Sequence, residues 1–211
     1  RLRSGSAHPS WEAAPAELRD CGRKFRQSFF VPCAKERDRR GFIMALLDIS
    51  NLTFASRGGH TRFDNVSLQL DTNWKLGLIG RNGRGKTTFL KLLLGEHAHG
   101  GRILAPVQMR YFPFPAPSPE LSARAVAASI VGDLEPWRLE REASLLDLSR
   151  EALDRPFATL GGGEATKLLL AALFLREDAF PLIDEPTNHL DVKARRVLGA
   201  YLRRKKGFIL V

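Results

Sequence analysis

The sequence predicts a mixed α/β fold, and three observations lead to that prediction. A glycine-rich segment at residues 80–88 lies between a short apolar stretch and a helical pattern. A second apolar stretch ends in two acids, Asp184 and Glu185. Alternating apolar and polar residues from 44 to 70 indicate a layer of antiparallel strands. Together these features predict a phosphate loop at the carboxyl end of a parallel strand, with the acids nearby.

Composition indicates one domain, or one and a fraction, in a chain of 211 residues with a hydrophobic share of 44%. No apolar run reaches the roughly 18 residues of a membrane span, and no secretory signal is present. We therefore expect a cytoplasmic protein whose two cysteines, Cys21 and Cys33, are free thiols rather than a disulfide. The net charge of +10 is divided equally between residues 1–43 and the rest, which indicates a spread excess. A nucleic-acid or anionic partner and a solvated basic face both stay open.

Residues 1–43 show no clear periodicity, and we predict an irregular basic extension outside the domain. The segment is either a disordered extension of the protein or upstream sequence that has been translated together with it. Five acidic residues disfavour a transit peptide. The domain is expected to cover residues 44–211, with a small helical subdomain at about 115–159.

The remaining elements follow from periodicity and turn residues. Strands are predicted at 46–54, 66–70, 75–79, 102–105, 109–112, 180–185 and 207–211. Helices are predicted at 86–94, 120–132, 135–154, 164–176 and 192–205. The proline-dense segment 113–119 is predicted to be an extended loop.

The segment at 80–88 fits the pattern G-x-x-x-x-G-K-T of a phosphate-binding loop. Its residues are Gly80, Arg81, Asn82, Gly83, Arg84, Gly85, Lys86, Thr87 and Thr88. Glycines let backbone N–H groups turn inward, and the following helix N-terminus adds partial positive charge. We expect Lys86 to reach the β- and γ-phosphates and Thr87 to place its hydroxyl on Mg²⁺.

Two further motifs bear on the same chemistry. The triple glycine within Leu160, Gly161, Gly162, Gly163 and Glu164 precedes a helix and is either a second anion site or a flexible hinge. Asp184, at the end of its strand, is placed to hold Mg²⁺, and Glu185 beside it can polarise an attacking water. A strand end that simply meets solvent is the plainer reading of the two acids.

The three motifs in this order resemble those of the ATP-binding cassette (ABC) ATPases, over residues 44–211. The segment Asp184-Glu-Pro-Thr-Asn-His-Leu-Asp191 resembles the corresponding sequence of the ABC-F class, which consists of twin-cassette proteins that lack a membrane domain. The resemblance implies an ABC-type nucleotide-binding fold that binds ATP and Mg²⁺. It implies that Thr87 and Asp184 serve the metal and that Glu185 is the catalytic base. The signature Leu160, Gly161, Gly162, Gly163 and Glu164 would contact ATP held by a partner cassette, and Asp191 would lie in the loop that links the two sites.

Three short sequence segments are similar to those of the ABC-F branch that protects ribosomes from lincosamides, streptogramins and pleuromutilins. The segments are Trp74-Lys-Leu-Gly, the phosphate loop together with Phe89-Leu90, and Tyr111-Phe-Pro-Phe114. The resemblance implies a second ABC cassette, missing from this chain, and the ribosome with its rRNA as partners. It implies antibiotic resistance by ribosome protection, with ATP hydrolysis in the complete twin-cassette protein and poor activity in the fragment alone.

The sequence departs from the family pattern at several positions. Gly161 stands where a serine is usual, which removes one hydrogen bond to a charged group, worth about 1.5–3 kcal/mol. Ala165 replaces a common glutamine. Phe114 aligns with the loop glutamine, and Gln108 is too early to substitute. Ser56 aligns with the adenine-stacking aromatic, a role that Phe54 or Phe63 would have to fill.

Two departures concern the last strands. Pro181 is expected to be tolerated only at the first residue of its strand or on an edge. The switch histidine of the family would follow Val211, so it is absent, and His189 does not align with it. Two alternatives stay open beside the ABC-F reading: a nucleotide-binding subunit of an ABC transporter, and a truncated remnant that does not hydrolyse ATP.

Overall fold

The structure, a computed structural model, describes residues 29–32, 45–55 and 61–211. It contains a five-stranded sheet, a three-stranded sheet and helices that pack against both. The predicted mixed α/β class is confirmed. Cys21, Cys33 and Ser56 lie outside the described residues, so the predictions made for them are not tested here.

The five-stranded sheet has the order β1-β4-β8-β7-β6. Its strands are β1 (Phe29–Pro32), β4 (Lys75–Ile79), β6 (Gln108–Phe112), β7 (Ala179–Ile183) and β8 (Phe208–Leu210). The four strands β4, β8, β7 and β6 are parallel, whereas β1 pairs antiparallel with β4. The carboxyl ends of β4 and β7 therefore reach the same edge of the sheet, with only β8 between them.

The three-stranded sheet is antiparallel, in the order β3-β2-β5. It is formed by β2 (Leu46–Ala55), β3 (Thr61–Asp71) and β5 (Gly100–Leu104). The predicted antiparallel layer is thus confirmed, although β3 begins five residues earlier than the predicted strand at 66–70. Its inward residues, among them Leu47, Ile49 and Val66, are almost fully buried.

Helix α1 (Lys86–Leu93) joins the two sheets. Its apolar residues Phe89, Leu90 and Leu92 pack in one cluster with side chains of both sheets, such as Leu68 and Leu182. Burial of a large apolar side chain contributes about 1.5–3 kcal/mol. The core therefore fixes the start of α1, and with it the segment that precedes the helix.

Four helices form the layer on the other side of the sheet and the small helical subdomain. They are α2 (Ala123–Val131), α3 (Pro136–Leu145), α4 (Arg150–Asp154) and α5 (Gly162–Leu175). Helix α5 contributes residues to two clusters, Leu170 to the one against the sheet and Leu168 to the one inside the subdomain. A helix that is apolar all round is a buried one, and α5 is the element that ties the subdomain to the sheet.

The predicted helix at 135–154 is wrong, because α3 and α4 are separate helices. Asp147 between them has a positive φ of 54°, a conformation that aspartate tolerates better than most residues. Ser149 then caps α4 by accepting a hydrogen bond from the Ala152 N–H at 3.2 Å. The serine was the available signal for a second helix start, and the apolar stripe through both helices concealed it.

The expectation for Pro181 is also wrong. Pro181 is the third residue of β7, which is an interior strand. The Asp184 N–H donates to β6, and the Ile183 carbonyl accepts from Val211, so neighbouring residues of β7 alternate between its two partner strands. The Pro181 nitrogen therefore faces β8, and the β7–β8 ladder begins only at Leu182. The N–H group that proline lacks would lie just before the first β7–β8 hydrogen bonds, so its absence costs little stability.

Strand β1 lies within the segment that showed no periodicity, and the sequence pattern did not predict it. Phe29–Pro32 pairs with β4 from Ile79 to Leu76. The other residues of the segment 1–43, including the basic ones, lie outside the described residues. That this segment as a whole is an extension beyond the domain stays a prediction.

Helix α6 (Val192–Arg203) is held to the subdomain through a buried polar cluster. Glu142 of α3 is only 7% exposed and accepts hydrogen bonds from Tyr201, at 2.6 Å, and from the Lys205 ammonium. Lys205 also lies over the ring of Tyr201, 4.3 Å from its centroid. Burial lowers the pKa of Lys205, and the Glu142 carboxylate opposes that change. A charge pair this deep is costly to break from one side only.

We predict that Glu142→Ala lowers the free energy of unfolding by about 3–5 kcal/mol, because it leaves the Lys205 ammonium buried without its carboxylate. The matched control is Glu177→Ala, which removes a largely exposed carboxylate paired with Arg138 and should cost about 1 kcal/mol or less. Urea unfolding monitored by circular dichroism measures both. Equal losses in the two variants would contradict a structural role for the buried cluster.

Candidate nucleotide and magnesium site

The loop that joins β4 to α1 has the backbone that a phosphate cradle requires. Gly83 and Gly85 have positive φ values of 77° and 92°, in a region where other residues are strained. Gly85 is the N-cap of α1 and has no side-chain capping partner. The Lys86 ammonium turns back over the loop and donates to the carbonyls of Gly80, at 2.9 Å, and Arg81, at 3.3 Å. The loop is thus wrapped around the lysine that sequence reasoning singled out.

Two residues of β3 support this loop, and the sequence motif did not include them. The Arg62 guanidinium donates to the Gly83 carbonyl oxygen. Phe63, 1% exposed, packs beneath Gly85, where a β-carbon would lie 3.4 Å from its ring, an ordinary contact distance. The requirement for glycine at position 85 therefore comes from its positive φ rather than from a lack of space.

The structure brings Thr87, Asp184 and Glu185 to one cavity of about 270 Å³. The other residues that line it are Tyr111, Phe112, Pro113, Thr166, Pro186, Asn188 and His189. Both predicted metal ligands and the predicted base therefore face the same space, although about a hundred residues separate Thr87 from the acids. The parallel order β4-β8-β7 is the reason for this proximity.

The Asp184 carboxylate is buried and only half satisfied. One oxygen accepts a hydrogen bond from the Tyr111 hydroxyl at 2.8 Å. The other oxygen, Oδ1, is buried and has no hydrogen-bond partner among the described residues. An unpaired buried carboxylate oxygen is expensive, on the order of 1–3 kcal/mol or more, unless a ligand occupies it. The residues present therefore fit a divalent cation at this oxygen.

The donor set is also the one that Mg²⁺ prefers. Mg²⁺ is usually held through one or two carboxylates together with phosphate oxygens rather than by an all-protein cage. Within the described ranges, no group of three or more His, Cys, Asp or Glu side chains could hold a metal ion. The Asp184 carboxylate and Thr87, both at the cavity, match a cation that shares its coordination with a phosphate ligand.

Glu185 occupies a strained backbone position. Its φ is +46°, and a non-glycine residue in that region costs on the order of 1 kcal/mol. Its N–H donates to the Val211 carbonyl at 3.1 Å, and its carboxylate accepts from the Asn188 amide at 2.9 Å. Strain of this kind is concentrated at functional sites. The carboxylate is exposed to the cavity and held by a neutral partner, which leaves it free to accept a proton.

The triple glycine forms the start of α5. Helix α5 begins at Gly162 instead of the predicted Glu164, and Gly161 is its N-cap. The Glu164 side chain accepts a hydrogen bond from the Gly161 N–H at 3.1 Å, and the Ala165 N–H donates back to the Gly161 carbonyl at 2.9 Å. The hinge reading is therefore not supported by the local hydrogen bonds. Gly161 and Gly162 are exposed, and Leu160 is half-buried.

The segment after the acids packs against these glycines, a contact that sequence reasoning missed. A β-carbon on Gly162 would lie 3.5 Å from the His189 side chain, and one on Gly163 would lie 3.3 Å from the His189 carbonyl oxygen. A side chain at position 163 would require the His189 carbonyl to shift by a few tenths of an ångström. The acidic strand end and the glycine-rich helix start are thus adjacent parts of one surface.

The structure also places three other predicted residues. Asp191 caps α6 by accepting a hydrogen bond from the Ala194 N–H at 2.7 Å, and its part in an interface stays a prediction. Phe114 packs edge-on against Phe112, with ring centroids 6.2 Å apart, and does not line the cavity. Gln108 begins β6, at the strand end away from the cavity.

The two aromatics suggested for adenine differ in their surroundings. Phe63 is buried beneath the loop, whereas Phe54 is half-buried and stacks on His97 with 5.6 Å between ring centroids. Of the two, Phe54 alone keeps an exposed part. Its role in base stacking stays a prediction.

Comparison with known proteins gives the family. The sequence profile described as ABC transporter matches residues 63–188, which include the phosphate loop, the signature and both acids. The chain therefore belongs to the ABC transporter family, and it is an ATP-binding domain of the ABC type. The fold is similar to part of a bacterial Atm1-family ABC exporter with ATP bound, at a TM-score of 0.65 and 15% identity, over 85% of this chain and 36% of the exporter.

The curated relatives include proteins of the F type. The chain is 29% identical over 182 residues to human ATP-binding cassette sub-family F member 3, covering 81% of this chain and 25% of that protein. It is 31% identical over 177 residues to the ATP-binding protein Uup of Caulobacter vibrioides, covering 82% of this chain and 28% of that protein. The chain thus spans about a quarter of the length of these relatives. Among the described residues, no helix has the length and apolarity needed to cross a membrane.

Both tyrosines of the chain are predicted to resist ionisation. Burial and the Asp184 carboxylate raise the pKa of Tyr111, and burial and the Glu142 carboxylate raise the pKa of Tyr201. We expect no tyrosinate absorbance at pH values somewhat above the ordinary phenol pKa of about 10, until the chain unfolds. The chain in guanidinium, titrated in parallel, should ionise near that ordinary value.

The same shifts predict the direction of stability with pH. A phenol whose pKa is raised on folding contributes stability that is present below about pH 10 and is lost as the pH rises above it. Lys205, whose pKa is lowered on folding, changes the free energy of unfolding with pH in the opposite direction. Tyrosinate absorbance reports the tyrosines alone and is therefore the better measurement. Ionisation of both tyrosines near pH 10 in the folded chain would contradict the two hydrogen bonds.

Proposed function

We propose that this domain binds ATP through the loop of residues 80–88 and that Lys86 and the loop amides hold its phosphates. The observation that carries the proposal is the convergence of Thr87, Asp184 and Glu185 on one cavity beside that loop. Lys86 donates to two backbone carbonyls of the loop. Phosphate oxygens are stronger acceptors than these neutral carbonyls, because hydrogen bonds between charged groups are about twice as strong.

Asp184 and Thr87 would hold Mg²⁺, with the unpaired Oδ1 of Asp184 as the ligand atom. When bound, the metal neutralises charge on the phosphate oxygens. Tyr111 keeps its proton, because its pKa is raised, and so it positions the other carboxylate oxygen by donation. Glu185, held by Asn188, would orient water and accept its proton as the catalytic base.

We propose that hydrolysis needs a second cassette, because the signature Leu160, Gly161, Gly162, Gly163 and Glu164 would contact the ATP of a partner. The support is the exposure of Gly161 and Gly162 at the start of α5, where backbone N–H groups and the helix dipole favour an anion. Asp191 would lie in the loop between the two sites. Gly161 supplies no hydroxyl to that phosphate, so this half of the site is weaker than its serine-bearing counterpart.

In the complete twin-cassette protein we propose a cytoplasmic, ribosome-associated action, of the kind that protects ribosomes and confers antibiotic resistance. Its support is the likeness to F-type relatives and the phrases around Trp74, Phe89 and Tyr111 in the sequence. The chain alone is expected to bind ATP and to turn it over poorly. Robust, Lys86-dependent hydrolysis by the purified chain without a partner would contradict that expectation.

We predict that Lys86→Ala weakens ATP binding at least tenfold, because it removes a charge-assisted hydrogen bond of about 1.5–3 kcal/mol. The matched control is Lys91→Ala on the same helix, which removes a partly exposed lysine near Glu96. Isothermal titration calorimetry with Mg-ATP measures both affinities. An affinity in Lys86→Ala equal to that of the unaltered chain would refute the assignment of the loop.

We predict that Glu185→Gln in the complete twin-cassette protein retains bound ATP and lowers hydrolysis by about 10²-fold or more, since the amide cannot accept the proton of water. Glu177→Gln, exposed and remote from the cavity, is the control and should leave turnover unchanged. Retention of radiolabelled ATP after gel filtration and phosphate release are the two measurements. Undiminished turnover in the variant would remove Glu185 from the proposed chemistry.

A further inference from the structure

The positive charge of the domain is concentrated in one segment, in contrast to the even spread that the division of net charge indicated. Residues 192–206 contain seven Lys or Arg and no Asp or Glu. Residues 44–191 contain sixteen basic and eighteen acidic side chains, so that they are slightly acidic as a group. The segment consists of α6 and the turn that follows it.

Helix α6 presents Arg196 and Arg203 on the face opposite to its buried side. Leu198, Tyr201 and Leu202 face the core. Arg196 and Arg203 are exposed and seven residues apart, which places them two turns apart on one outward stripe. On the helix surface between the two arginines lie Gly199 and Ala200. A β-carbon on Gly199 would meet no atom within 4 Å. The stripe is therefore a smooth, open surface with a cation at each end.

Structural roles account for some of these charges but not for the stripe. Lys193 pairs with Asp147 at 2.8 Å, Arg195 donates to the Leu190 carbonyl, and Lys205 is buried against Glu142. A cation near a helix C-terminus is stabilised by the helix macrodipole. This interaction explains a positive charge at Arg203 or Arg204, but it does not explain one at Arg196. In the part of the chain that the structure describes, no carboxylate lies within ion-pair distance of Arg196, Arg203 or Arg204.

The cluster is reinforced at its C-terminal end. The Lys75 ammonium donates to the Arg203 carbonyl at 2.6 Å, which adds a cation at the end of the helix. Like charges gathered on one surface repel one another by an amount that a polyanion relieves. Clustered Lys and Arg along one helix face are the electrostatic footprint of a nucleic-acid surface.

We propose that the outward face of α6, with Arg196, Arg203 and Arg204, binds the phosphodiester backbone of a nucleic acid. A membrane surface fits less well, because an interfacial helix lays its apolar face in the lipid and the apolar face of α6 is buried in the protein. The charge distribution carries this inference, which does not depend on the proposed nucleotide chemistry. Backbone contacts of this kind position a nucleic acid without reading its sequence.

The test is fluorescence anisotropy of a labelled 20-nucleotide RNA, and of DNA of the same sequence, with the full chain at 50–200 mM KCl. We expect binding to weaken with salt, and Arg196→Gln/Arg203→Gln to lower affinity at least tenfold at 50 mM. The slope of log affinity against log salt should become shallower by about 0.7 for each lost contact. Ala200→Glu, which keeps both arginines and adds a carboxylate between them, should weaken binding in the same direction. Weaker binding of DNA than RNA would assign the surface to RNA.

The matched control is Arg102→Gln/Arg110→Gln, which removes the same charge from exposed positions on β5 and β6. Its affinity should change less than twofold. Equal losses in the control and the α6 variant, or no salt-dependent binding by the unaltered chain, would overturn the proposal. Equal or tighter binding to phosphatidylserine vesicles or polyglutamate would also overturn it. Thermal melting and Mg-ATP affinity, both expected to be unchanged, separate this result from misfolding and from failure of the proposed function.

Discussion

Parallel pairing of β4, β8 and β7 is the constraint on which the site depends. Because the three strands run in one direction, the phosphate loop after β4 and the acids after β7 leave the sheet at the same edge. The backbone of the acids is tied to β8 through Val211, which accepts from Glu185 and donates to Ile183. A shift of one residue in this register would turn Asp184 away from the cavity.

A close approach at the other end of the sheet fixes that register. A β-carbon on Gly207 would lie 1.6 Å from the Thr72 carbonyl oxygen, so only glycine fits where the chain enters β8. The Phe208 N–H then donates to the Trp74 carbonyl, and the ladder with β4 begins. The geometry around Asp184 thus depends on a contact at the opposite end of the same strands.

The carboxylates of the molecule show two ways of burying a charge. Glu142 accepts hydrogen bonds from a tyrosine and from a lysine ammonium, both at Oε2, and holds α6 to the subdomain. One oxygen of Asp184 accepts a hydrogen bond from Tyr111, and the other has no hydrogen-bond partner among the described residues. The first arrangement stabilises the fold, and the second leaves a polar atom that a cation can satisfy. Glu142 has the Lys205 ammonium as a partner, whereas the hydrogen bond to Asp184 comes from a neutral tyrosine hydroxyl.

Much of this could be predicted from sequence, because short-range patterns determine it. The bounds of β4 and the start of α1 follow from an apolar run and a glycine-rich motif, and the structure confirms both. The break at Asp147 could not be predicted, since the apolar stripe continues across it and Ser149 alone marks the new helix. The interior position of Pro181 depends on where the β7–β8 ladder begins, which no local pattern contains. The support that Arg62 and Phe63 give to the loop depends equally on long-range contacts.

We propose that this chain holds ATP together with a divalent cation on the unpaired oxygen of Asp184. Isothermal titration calorimetry of the 211-residue chain with ATP, in Mg²⁺ and again in EDTA, tests it most directly. We expect saturable binding below millimolar ATP, and we expect the affinity to fall at least tenfold when Mg²⁺ is removed. A folded chain that shows no binding at millimolar Mg-ATP, or equal affinity with and without the metal, would contradict it.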